Sequence, residues 1–297
     1  MNAPVLASIP ADVVVKDARM SGFGHDPRVR VHFDSGRWLE GPAYSAQSRT
    51  LIFSDIPSDR TLRYDEVADR VDVFEEPARF ANGRTFDGCG RLVTCLHGER
   101  SVVRREHDGS ETLVAGAYQG RRLNSPNDVV VSRDGSVWFT DPTFGILTDY
   151  EGHRSPSAIG ASLVFVRRAD EQDVRAASAA FEQPNGLAFS LDERILYVVD
   201  SAKNTLSAVP LVDGVLGEPS VIASGYGFDG IRLDREGRIW AGTRDGVSCF
   251  APDGTELVSI GLPEKAANLT FGGIRRNTLY ITATTSLYSL RVSIVGA

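Results

Sequence analysis

Six polar residues recur along the chain, each at the head of a similar short segment: Glu40 in EGPAYS, Asn82 in NGRTFD, Asn127 in NDVVVS, Asn185 in NGLAFS, Asp229 in DGIRLD and Asn268 in NLTFGG. Brought to one place, two carboxylates and four amides would form an oxygen-rich set with no basic residue among them. Such a set is costly to bury unless a cation or ordered water satisfies it. Oxygen-only donors select a hard cation, and calcium accepts irregular coordination by carboxylates, amide carbonyls and water more readily than magnesium does. Asn-Gly and Asp-Gly are also ordinary turn pairs leading into strands, so plain turn formation is the competing reading. Glu40 speaks against it, because glutamate is a poor turn residue.

For these residues to meet, the elements that carry them must repeat in space as they do in sequence. The intervals between anchors are 42, 45, 58, 44 and 39 residues. Eleven positions after every anchor stands an apolar residue, Leu51, Val93, Trp138, Leu196, Trp240 or Leu279, and after three anchors a turn glycine comes at the eighth position, Gly90, Gly135 and Gly237. Segments such as SVWFT, RILYVVD, RIWAGT and TLYITAT are rich in β-branched and aromatic residues and follow turn clusters, which is a strand pattern. Units of about 40–45 residues with this layout are the mark of a β-propeller. The reading is all-β: a six-bladed β-propeller with four-stranded blades around a central metal channel. Residues 26–297 are assigned to the ring, with RVRVHFDSG as a strand completing the last blade, and residues 1–25 to an arm outside it. The long interval contains an insertion in blade three at about 142–160, a candidate lid. Trp138 and Trp240 share one repeat position and are read as blade-to-blade packing.

Composition narrows the partners. The chain has 297 residues, 32 Lys plus Arg against 39 Asp plus Glu, and a formal net charge of −7, which offers no general attraction for nucleic acid or an anionic membrane surface. Its three cysteines, Cys89, Cys95 and Cys249, support neither a disulfide framework nor a zinc knuckle. The N-terminus lacks the basic start and unbroken apolar run of a secretory signal, and no apolar run approaches the roughly 18 residues of a membrane span. A cytoplasmic location is expected.

The segments LEGPAYS, LNSPNDVVVSRDGSVWFTDP, QPNGLAFSLDERILYVVDS and GFDGIRLDREGRIWAGT, in that order, resemble the gluconolactonase family, also called the senescence marker protein 30 (SMP-30) or regucalcin-like family, and its bacterial gluconolactonases most of all. The resemblance runs from about position 38 to the C-terminus. It implies a six-bladed propeller holding one divalent metal, with ligands on Glu40, Asn127, Asn185 and Asp229; calcium is favoured, and zinc or manganese could occupy the same cage. It further implies hydrolysis of a sugar lactone such as D-glucono-1,5-lactone, the metal polarising the lactone carbonyl and Asp229 acting as general base or delivering a metal-bound water. Asn82, Arg122, Asn124 and His97 are candidate substrate contacts, with ordinary loop or structural roles as the alternatives for Arg122 and His97. Asp128 is a candidate for orienting Asn127, or simply a strand start, and Asn268 is expected to form a turn. Two rivals stand beside the sugar lactonase: a calcium-dependent phosphotriesterase or lipophilic lactonase on the same site, and a non-catalytic propeller that binds calcium or a protein partner.

Overall fold

The computed structural model describes residues 8–21, 23 and 28–297. Six antiparallel sheets succeed one another along the chain. Their innermost strands are Leu39–Ser45, Ala81–Phe86, Val129–Val131, Pro184–Phe189, Ile231–Leu233 and Ala266–Gly272 in blades one to six. From each of these, three further strands follow outward as an up-and-down meander, so the protein is an all-β six-bladed propeller of four-stranded blades. In blade six the fourth strand comes from the other end of the chain. Arg28–Phe33 pairs with Leu287–Arg291, joining the N-terminal region to the last blade and closing the ring as the RVRVHF pattern predicts.

The described part of the first twenty-five residues lies against the outer rim. Ser8–Pro10 adds a fifth strand to blade six by pairing with Arg28–Phe33, and Asp12–Val15 adds one to blade five by pairing with Glu256–Gly261. Met20 and Phe23 follow, buried against Trp240 and its neighbours. The rest of the expected arm, residues 1–7, 22, 24 and 25, lies outside the described residues, as do 26 and 27 at the expected start of the ring.

Packing explains the repeat. All six residues eleven positions after the anchors are buried, Leu51, Val93, Leu196, Trp240 and Leu279 completely, because a middle strand presses both faces against neighbouring blades. The glycines after four anchors answer to close approach of the inner strands. A Cβ on Gly41 would sit 2.0 Å from the carbonyl oxygen of Asn82, and one on Gly186 would sit 2.5 Å from that of Asp229. Only glycine lets adjacent inner strands converge this tightly on the axis. Residues 142–162 connect the second and third strands of blade three and carry the short helix Phe144–Leu147. No helix among the described residues is long and apolar enough to cross a membrane.

Candidate active site

The anchors stand at the starts of the innermost strands, and the ring geometry turns them to one mouth of the channel. All six are buried. Glu40, Asn82, Asn127, Asn185 and Asp229 line a single cavity of about 170 Å³. A local device that recurs in three blades holds the loops leading to them. A buried aspartate ends the second strand, and its carboxylate accepts the backbone N–H groups three and two residues before the anchor. Asp55 takes Arg37 and Trp38 ahead of Glu40, Asp141 takes Asn124 and Ser125 ahead of Asn127, and Asp200 takes Glu182 and Gln183 ahead of Asn185. The motifs FSD, FTD and VVD carry this in the sequence, but it becomes meaningful only when strand end and loop are seen together.

The cavity is rich in acceptors and short of donors. Asn185 spends both its N–H groups, on Ser201 Oγ at 2.9 Å and Asp229 Oδ1 at 2.8 Å, leaving its oxygen without a donor among the described residues. Asn82 donates to His97 Nε2 at 3.2 Å, while His97 Nδ1 lies 2.8 Å from the Glu151 carbonyl and can only donate there. This tautomer fixes the Asn82 amide, whose Oδ1 is buried with no partner among the described residues. Burial pushes the His97 pKa down to about 4, which keeps the ring neutral for that role. The Asn127 side chain bonds to no described residue. Glu40 Oε2 accepts from its neighbour Gly41 N at 2.8 Å and from Asn268 Nδ2 at 3.0 Å, so Asn268, which lies within the innermost strand of blade six and not in the expected turn, orients a carboxylate. Among the described residues no three His, Cys, Asp or Glu side chains gather into a cation cage; the set here mixes two carboxylates with amides.

Charge supplies a second fit. Burial raises the Glu40 carboxyl well above the ordinary range, and the nearby Asp229 charge adds to it. Burial likewise raises Asp229, opposed by Lys265 and the Asn185 amide. Lys265 Nζ lies 2.7 Å from Asp229 Oδ2 and 5.2 Å from the centre of the Trp38 ring. Burial would lower its pKa, but Asp229, Glu40 and Glu151 outweigh that and hold it raised. Three carboxylates, Glu40, Asp229 and Glu151, thus share the cavity wall with one ammonium, an imbalance that one divalent cation would cancel.

Lys265 and Glu151 are the residues that sequence reasoning missed, and the basic group absent from the anchors is present in the site. Neither has a repeat counterpart: Lys265 sits in the link between blades five and six, and Glu151 in the insertion. The other candidates fall elsewhere. Asp128 accepts from Val129 N and from Arg232 across the channel, not from the Asn127 side chain. Arg122 is exposed and donates to the Glu99 carbonyl. Asn124 is buried with its amide donating to the Asp141 and Ala161 carbonyls and accepting from Ser157 Oγ. Neither lines the cavity, because both serve the loop and insertion behind it.

Comparison with known proteins follows the same lines. A gluconolactonase from Zymomonas mobilis is 27% identical over 88% of this chain and 80% of its own. The pentonolactonase XacC of Haloferax volcanii is 28% identical over 85% of this chain and 84% of its own. The solved structure of a gluconolactonase from Xanthomonas campestris is 35% identical, covers 98% of this chain and 99% of that one, and superposes with a TM-score of 0.90. The SMP-30/Gluconolactonase/LRE-like region model matches residues 38–285, and the chain belongs to that family.

Proposed function

We propose that this chain is a metal-dependent sugar lactonase that opens an aldonolactone such as D-glucono-1,5-lactone to its acid. The observation that carries the reading is the cavity at the channel mouth, where amide oxygens that lack donors among the described residues stand beside paired carboxylates. The relatives named gluconolactonase and pentonolactonase supply the reaction class. Glu40, Asn127, Asn185 and Asp229 are the proposed ligands of one divalent cation, calcium by the hardness of the donor set. Such a cation, when bound, polarises the lactone carbonyl and stabilises the oxyanion that forms on it.

The chain's own groups do the rest. Asp229 is the proposed acceptor of the proton released as water adds to the carbonyl carbon. Asn185 and Lys265 hold its two oxygens in place, and Lys265 favours the ionised form a base requires. The carbon–oxygen bond of the ring then breaks, and the ring oxygen leaves as a hydroxyl after taking up a proton, so the net change is addition of one water. Asn82 Oδ1, fixed by His97, is a proposed acceptor for a sugar hydroxyl. Among the described residues only Trp38 and Phe144 present large apolar surface to the cavity, and its volume lies below the roughly 300 Å³ at which drug-sized ligand pockets begin. Both features favour a small polyhydroxylated ring over a lipophilic phosphotriester.

The test is hydrolysis of D-glucono-1,5-lactone, a homoserine lactone and a phosphotriester, each with calcium and with chelator. Turnover of the sugar lactone above its spontaneous opening, lost on chelation, is expected. Asp229→Ala should lower kcat/KM by about 10²–10⁴, the usual contribution of a positioned base. Full turnover by Asn185→Ala and Asp229→Ala would overturn the site; preferred phosphotriester turnover, or calcium binding with no turnover at all, would overturn the substrate or the chemistry.

A further inference from the structure

The inserted segment is strapped across the channel mouth, touching three other blades or their leading loops. Tyr150 OH reaches the Arg37 carbonyl at 3.5 Å, and the Arg37 guanidinium lies 5.3 Å from the centre of its ring. Arg100 donates to Ser155 Oγ at 3.1 Å, and Phe80 meets the His153 ring at 5.1 Å. Thr143 exchanges hydrogen bonds with Gln183 ahead of blade four. Within the strap two glycines leave no spare room. A Cβ on Gly145 would fall 2.5 Å from the His97 ring, and one on Gly152 would fall 2.2 Å from the Gly145 carbonyl oxygen. Between them stands Glu151, its carbonyl held by His97 Nδ1 and its side chain on the cavity wall with Asp229, Glu40 and Asn82. Its carboxylate has no hydrogen-bond or ion-pair partner among the described residues.

We propose that Glu151 is a specificity-determining residue that accepts hydrogen bonds from adjacent hydroxyls of the bound ring, so that the substrate class is the polyhydroxylated lactone. This rests on the lactonase reading above. A carboxylate offers acceptors only, two oxygens side by side, and a vicinal diol offers two donors at matching separation. The backbone tie through His97 holds the Glu151 main chain beside the cavity and leaves the carboxylate oxygens unused. Asn82, tied through the same imidazole, lines the same cavity, so one histidine braces two residues taken from different blades. A lactone without hydroxyls leaves both acceptors unpaired and is discriminated against, because a buried acceptor stripped of water and given no donor is costly.

The experiment uses the full calcium-loaded chain, with Glu151→Gln and Glu151→Ala, on D-glucono-1,5-lactone and on δ-valerolactone, the same ring without hydroxyls. Glu151→Ala is expected to raise KM for the sugar lactone about 10–100-fold, one to two lost hydrogen bonds to a charged group, while kcat changes less than about 3-fold. The preference between the lactones should shrink by the same factor, and Glu151→Gln, which keeps one acceptor oxygen, should fall between. Bound calcium per chain and melting temperature are measured on each variant. An unchanged preference, an equal loss on both lactones, or loss of bound calcium would overturn the role given to Glu151. A wild-type chain that opens neither lactone would instead overturn the lactonase reading, and this inference with it.

Discussion

Lys265→Met separates the two charges that meet in the cavity. The ammonium and the Asp229 carboxylate are 2.7 Å apart, a gross attraction of about 6 kcal/mol at an effective dielectric of about 20. Much of that does not survive as net stability, since the lysine side chain keeps 35% of its exposure and both charges are partly desolvated. Removing the ammonium while keeping its apolar stem against Trp38 should cost about 1–3 kcal/mol in the metal-free protein. At about 2–4 °C per kcal/mol, the melting temperature in chelator should fall by roughly 2–12 °C. With calcium the sign changes, because the same ammonium opposes a cation on Asp229. Relief of about 1–3 kcal/mol of repulsion would tighten calcium binding about 5–150-fold, and ligand linkage would narrow or reverse the stability gap. Thermal melts in chelator and over a calcium series, with a direct binding titration, read both arms. An equal loss of stability in the two conditions, with calcium affinity unchanged or weaker, would refute the placement of Lys265 against a cation site.

Three further outcomes follow from the same geometry. In chelator, the melting temperature should fall as pH rises from about 6.5 to 8: burial raises the Glu40 and Asp229 carboxyls and takes Asp141 and Glu151 to about 7, so the folded state keeps protons the unfolded chain has released. His32 and His97, pushed down to about 4 by burial, are neutral in the folded state throughout that window, and against an unfolded value of about 6.5 they begin to erode stability at its lower edge and do so mainly below it; a melting temperature that climbs between pH 6.5 and 8 would contradict the assignment. Gly145→Ala should lower stability by about 1–3 kcal/mol, the usual cost of overpacking, and raise KM for the sugar lactone by displacing the strap from His97; an unchanged melt and KM would show that the strap yields freely. Deleting residues 1–16 uncovers the outer edge of blade five at Glu256–Gly261, and concentration-dependent association by light scattering is expected from that bare strand.

The fold was legible because a propeller states its rule six times. The anchor and the apolar residue eleven positions later recur in phase, and the structure puts every one of them in the interior. The strand that completes blade six could be read too, since RVRVHF carries strand character and the last repeat lacked a partner for its edge. The candidate site was legible only as far as it shares that rule. Glu40, Asn82, Asn127, Asn185 and Asp229 converge because they occupy one repeat position, whereas Arg122 and Asn124, chosen for their nearness to Asn127 in sequence, are turned to the loop and insertion behind the cavity. Adjacency along a chain says little about which side of a loop a side chain leaves from.

What the sequence determined by itself is therefore the periodic part: strand pattern, blade count, and the ring of carboxylates and amides on the axis. Periodicity in residue type is enough for that, because every blade meets the same packing problem and solves it with the same positions. The tertiary structure alone decided what breaks the symmetry. Lys265 reaches Asp229 from the link between blades five and six, Glu151 arrives on an insertion with no counterpart, and His97 sets the Asn82 amide by the direction of a single hydrogen bond. These contacts join residues 36, 54 and 15 positions apart through surfaces that exist only once the strands and their connecting loops have packed, and it is they that give an otherwise repetitive channel the uneven charge and donor pattern of a site.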